Sequence, residues 1–234
     1  MKIDKFNKKD ILTKIDNPII YNQELFNIDK KYTGKDVKVS IIASGLPTYQ
    51  GFSTLSDFDV MIDNVDSPHD DMGYTTAIAG FIAANGTCGI HGLAQNTQIY
   101  SLKAIENNGN VNYSTLIASI LWSIIKNVNI IVIPFEIDIS YEPIYSAIKK
   151  ANKNKITIMS LNLDCKEIYT IIPCPKKDTF DVKIKNKEIL LTLPTTKLIT
   201  SFGDKLFVKV NKKIASLGLA TGIMSLLVEK NNSN

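Results

Sequence analysis

Residues 113–161 read YSTLIASILWSIIKNVNIIVIPFEIDISYEPIYSAIKKANKNKITIMSL, and the spacing of their apolar positions changes along the stretch. In 113–127, Leu116, Ile117, Ile120, Leu121, Ile124 and Ile125 recur at helical intervals and predict a helix with a broad apolar face. The run 129–135 (NIIVIPF) is almost continuously apolar, which suits a strand covered on both faces. In 142–153, Ile144, Ala147, Ile148 and Ala151 fall on one side of a helix, and 156–161 reads as another strand. Helix and strand in alternation, with strands lacking a polar face, predict an α/β fold: a parallel central sheet with helices on both faces.

The same alternation extends outward. Toward the N-terminus lie a strand at 99–104, a helix of small and apolar residues at 74–85, and a β-rich run at 37–43 (VKVSIIA) closed by Ser44 and Gly45. Beyond 169 the texture breaks into short β-like pieces at 180–184, 189–193 and 206–210, separated by Pro, Asp and Lys, which predicts hairpins or short additions to the sheet. A helix is expected at 217–228, with a frayed polar tail after it. The first 30 residues are polar and irregular, apart from an apolar patch at 18–21. They are expected to form an extension packed on one domain spanning 31–230.

Composition removes several classes. With 234 residues, 44% hydrophobic and 21% charged, the chain is neither disordered nor a disulfide scaffold. All 27 basic residues are Lys and they are scattered, so the net charge of +4 predicts a solvated surface and no nucleic-acid partner. Cys88, Cys165 and Cys174 stand at no metal-ligand spacing, and there are only two His, so no metal and no cofactor are expected. The N-terminus lacks the apolar core of a secretory signal, and no apolar run approaches the ~18–20 residues of a membrane span. These features predict a soluble cytoplasmic protein without membrane insertion; the oligomeric state is not legible.

TGKDVKVSIIASG, at 33–45, resembles the opening of the subtilisin-like serine proteases, where a strand of the form VxVxxID ends in the catalytic Asp. DMGYTTAIAGFIAANG, at 71–86, is similar to the family's second motif, GHGTHVAGxIAA. Residues 89–135 resemble the stretch that follows it, and SLGLATGIMSLL, at 216–227, resembles the third motif, GTSxATxxxxGxxALL. Order and spacing both fit. The resemblance implies a three-layer subtilisin-like fold, shortened at the C-terminus, with some apolar surface left uncovered as a candidate partner site.

Matched residue by residue, the resemblance puts Ala43 at the Asp position, Ala77 at the His position and Gly218 at the Ser position. The triad works because an imidazole takes a proton from a hydroxyl while a carboxylate orients it, and Ala and Gly supply none of these groups. A slip at the third motif would offer Ser216 instead, but out of register with Ala220 and Thr221. ITIMSLN, at 156–162, resembles the segment ending in the oxyanion-stabilising Asn, which places Asn162 there or makes it an ordinary strand-end turn residue.

The groove positions are also implied by the family. Gly109, Asn110 and Val111 correspond to one peptide-pairing rim, and Pro134, Phe135 and Glu136 to the other. Pro134 offers no N–H to a bound strand, and Glu136 stands where the family keeps Gly, so binding is expected to be weakened or redirected toward a basic side chain. The family's calcium loop has no carboxylate counterpart at 85–88, and the acidic stretch of Asp57, Asp59, Asp63, Asp66, Asp70 and Asp71 reads as a solvated loop. The chain begins near where mature members begin, which implies no preceding inhibitory segment.

The expected function is that of a catalytically dead pseudopeptidase acting through a protein or peptide partner, such as an active relative or a precursor peptide. The alternatives are an active serine endopeptidase with displaced catalytic residues, a hydrolase using Cys174 or Cys88, and a structural subunit of an oligomer.

Overall fold

A computed structural model describes residues 1–47, 51–52, 69–161, 165–177, 179–202 and 206–233. Within these the strands are β1 (Ile11–Leu12), β2 (Ile19–Ile20), β3 (Lys38–Ala43), β4 (Ile90–His91), β5 (Gln98–Lys103), β6 (Ile130–Ile133), β7 (Thr157–Ser160), β8 (Tyr169–Pro175), β9 (Asp181–Lys185), β10 (Glu188–Leu193), β11 (Leu198–Ser201) and β12 (Phe207–Val210). The helices are α1 (Tyr74–Ala83), α2 (Tyr113–Ile125), α3 (Glu142–Lys153) and α4 (Lys212–Asn232).

The main sheet has the order β5-β3-β6-β7-β8-β10-β9 and is parallel except at the β9 edge. The unbroken apolar run became β6, near its middle, where all four residues are buried. Helices α2 and α3 pack on each other and against β3, β5 and β7; α1 and α4 pack together against β3, β5, β6, β7, β8 and β10. Each helix pair covers one face, as a parallel sheet requires.

Helix α3 buries the four residues its periodicity indicated, Ile144, Ala147, Ile148 and Ala151. Helix α2 differs in detail. Leu116 and Ile120 point inward beside Ser119 and Ser123, while Ile125 is 74% exposed. A buried hydroxyl is tolerated when paired, and Ser123 Oγ lies 2.8 Å from both Ser119 O and Ser40 Oγ.

The later half holds the expected short strands β9, β10 and β12, and adds β8 and β11; β9 pairs with β10, and β11 with β12, in antiparallel sense. The β9–β10 hairpin turns through Asn186 and Lys187, both at positive φ (49° and 62°), the geometry of a tight two-residue turn. Strand β8 is no hairpin partner: it joins the main sheet parallel to both β7 and β10. Strands β11 and β12 form a separate sheet that β1 completes from the N-terminal segment. Helix α4 starts at Lys212, five residues before the expected 217, because the Asn211 side chain accepts from Ile214 N at 3.0 Å and caps it. Its far end does not fray: the Glu229 carboxylate accepts from Thr33 and Gly34 N–H, each at 2.6 Å.

Candidate active-site cleft

Strand β3 ends at Ala43 against the start of α1. Ser44 Oγ accepts from Tyr74 N at 3.1 Å, and Ser44 N donates to Thr75 Oγ1 at 3.2 Å. Between them lies Asp70. Its carboxylate accepts from Gly73 N (2.8 Å), Thr76 N (2.7 Å), Thr76 Oγ1 (2.7 Å) and the Ser44 hydroxyl. These donors include free N–H groups of the first turn of α1, so Asp70 serves as that helix's side-chain cap. Burial pushes its carboxyl above the ordinary range, against the pull of all four donors.

Beside Ala43 in register lies Lys103, 2% exposed. Its Nζ donates to His69 O and Asn107 Oδ1, both at 2.8 Å. Burial lowers the ammonium pKa, and the charges of Asp71 and Asp70 oppose that shift.

A cleft of about 570 Å³ opens above this region. Its walls include Tyr74 from α1, Pro134, Phe135 and Glu136 after β6, Leu161 after β7, and Asn211, Lys213 and Ile214 from the start of α4. Pro134, Phe135 and Glu136 form one side of it. The rim at Gly109, Asn110 and Val111 is engaged by the first residues of the chain: Lys2 bridges Asn110 in antiparallel sense, Ile3 N donates to Gly109 O at 2.7 Å, and Val111 N donates to Met1 O at 3.2 Å.

None of the three implied triad positions lines this cleft, and Ala43 is fully buried at the end of β3. Ala77 and Gly218 are buried completely, and neither lines the cleft. Ala77 lies one turn inside α1, where its carbonyl accepts from Thr200 Oγ1 at 3.0 Å. The motif GHGTHVAG contains two His; Tyr74 falls on the first and Ala77 on the second, and only the first reaches the cleft. Gly218 lies well inside α4, where a Cβ would stand 2.8 Å from Phe81 Cβ. Its small size serves the close crossing of α1 and α4. The α4 residues that reach the cleft are Lys213 and Ile214. Neither assignment places a His or Ser at these positions.

The other candidates fall as follows. Asn162 and the acidic residues Asp57, Asp59, Asp63 and Asp66 lie outside the described residues. Ser216 is buried and spends its hydroxyl on Lys212 O at 2.6 Å. Cys88, Cys165 and Cys174 are all free thiols, and none lines the cleft. Cys88 borders a separate pocket with Ile15, Pro18 and Phe207, Cys174 sits on β8, and burial pushes the Cys165 thiol up. Among the described residues no helix is long and apolar enough to cross a membrane.

A mostly parallel sheet between two helix pairs, with a cleft at the starts of α1 and α4, is a subtilisin-like α/β architecture. The subtilase (peptidase S8) family model matches residues 34–167, more than half the chain, and the chain belongs to that family. It is 30% identical over 130 residues to the minor extracellular protease Epr of Bacillus subtilis, covering 55% of this chain and 20% of that protein. It is 31% identical over 102 residues to a subtilisin of Bacillus pumilus, covering 43% of this chain and 37% of the relative. The chain thus spans well under half the length of these relatives. In fold it is similar to a mutant form of the protease domain of PatA, with a TM-score of 0.67 at 12% identity over 88% of this chain and 84% of that one.

Proposed function

We propose that this subtilase does not hydrolyse peptide bonds and acts by holding a protein or peptide segment in its cleft. One observation carries the reading: α1 and α4 bring Tyr74, Lys213 and Ile214 to the cleft, and β3 ends beside α1 in the buried Ala43, with no imidazole, hydroxyl nucleophile or orienting carboxylate among the four. The relatives bear the names of proteases, and these side chains are what the proposal rests on.

The displaced-triad alternative has its best material at Ser44 and Asp70, and the geometry argues against it. Ser44 is fully buried, its oxygen donates to Asp70 and accepts from Tyr74 N–H, and Asp70 is committed to capping α1. Nucleophilic attack needs an exposed oxygen beside a free base.

The test is reaction of the purified chain with a fluorophosphonate probe, together with hydrolysis of denatured casein. Neither labelling nor hydrolysis above a blank is expected. Stoichiometric labelling of one serine would overturn the proposal.

A further inference from the structure

Away from the cleft, the seven strands of the main sheet end in β9, whose residues 181–185 read DVKIK. The two-residue turn at Asn186 and Lys187 makes Lys185 and Glu188 the pair that closes the hairpin. In antiparallel pairing, residues that bond to the partner strand alternate with residues whose N–H and C=O point away from it. Lys183 and Lys185 therefore bond to β10, and Val182 and Ile184 turn their backbone groups outward. The Val182 N–H donates to Asp181 Oδ1 at 2.9 Å, as suits a donor that faces away from the ladder. Among the described residues no strand pairs with β9 on that side. Side chains alternate as well. The register puts Lys183 and Lys185 on the face of Leu190 and Glu188, and Ile184 on the face of the buried Ile189. Lys183 and Lys185 are exposed, and so are two apolar neighbours, Ile184 by 41% and Leu190 by 37%.

We infer that β9 is a docking edge for an extended acidic segment of another protein, which joins the main sheet as a further strand. Charge decides the occupant. Residues 176–187 carry five Lys and two Asp, and a second copy would bring that set against itself. Lysine on a sheet edge turns like-charged strands away. The same side chains attract an acidic strand, so one feature opposes self-pairing and selects the partner. Backbone bonds to Val182 and Ile184 hold the incoming strand, and its side chains give specificity. The two-residue period fixes their pattern: acidic residues at alternate positions facing Lys183 and Lys185, with apolar residues between them covering Val182 and Ile184. Lys187 takes no part, because its Nζ is engaged with Asn152 Oδ1 at 3.2 Å and Glu167 O at 3.4 Å. None of residues 181–185 lines the cleft, so this edge is independent of the peptide-holding reading above.

The probe is a fluorescein-labelled synthetic peptide, EVEIEVE, with KVKIKVK as its control, each titrated into the full chain by fluorescence anisotropy. The acidic peptide is expected to bind at least about tenfold more tightly than the basic one, and to lose about tenfold in the double variant Lys183→Glu, Lys185→Glu. Ile184→Pro removes an outward N–H, which an edge strand tolerates. It is expected to weaken binding about tenfold, while amide exchange at Ile131 in the central strand stays unchanged. The charge reversal leaves the backbone ladder untouched, so refutation remains possible even where the proline variant unfolds. In NMR, saturating acidic peptide is expected to slow exchange of the Ile184 amide. Equal affinity for the two peptides, or an Ile184 amide that exchanges as fast with the acidic peptide as without it, would overturn the proposal. Sedimentation of the full chain alone is expected to show no dimer that Ile184→Pro dissociates; such a dimer would overturn the acidic partner in favour of a second copy.

Discussion

Helices α1 and α4 both point their N-termini at the cleft, and they are finished differently. At α1 a buried carboxylate takes two backbone N–H groups and two hydroxyls, so every polar group is committed to structure. At α4 a neutral Asn211 caps one N–H, and Lys213 and Ile214 face the cleft. One end is polar and closed on itself; the other is open and carries no nucleophile. The polar atoms gathered at the start of α1 are thus spent on capping that helix.

The largest test of this contrast is Asp70→Ala, which strands four donors at the α1 end. A loss of about 3 kcal/mol is expected in urea unfolding. The same carboxyl gives a pH signature. Its pKa is raised by burial, so the stability tied to its protonated form is complete below the unfolded value, about pH 4, and is lost as pH rises through the folded value. Measured against Asp70→Asn, which cannot ionise, the unsubstituted chain should lose ground as pH increases from about 4. A flat difference would contradict the direction.

Gly218→Ser separates the two assignments at α4. If Gly218 lies under the helix crossing, the new side chain collides with Phe81 and costs about 2 kcal/mol, with no fluorophosphonate labelling. A stable, labelled variant would return Gly218 to the cleft. The smallest effect is expected for Asn211→Ala, about 1 kcal/mol from the lost cap, measured by thermal unfolding. A loss as large as that of Asp70→Ala would erase the difference between the helix ends.

The layer architecture was legible because strands buried on both faces leave no polar alternation, as at 130–133, and because α3 keeps its apolar residues on one side. What escaped depends on distance in the chain. Strand β8 looks like its neighbours locally, and only pairing with β7 and β10 tells its direction. Asp70 reads as one more acidic loop residue until Ser44 and Thr76 close around it. The two His of the second motif are three residues apart, and only the helix's orientation tells which one reaches the cleft. A signal was present for Tyr74: its place just after Gly73 matches the first His of GHGTHVAG. The pairing of residues 1–3 with 109–111 has no sequence mark.

Glu229 gathers the N–H groups of the loop that leads into β3 from a helix 196 residues downstream. During synthesis the entrance to the first strand of the main sheet therefore stays unfastened until α4 has left the ribosome. The first strand of the main sheet to be made has its entrance secured late, and so long a closure predicts slow maturation with a long window for chaperone capture.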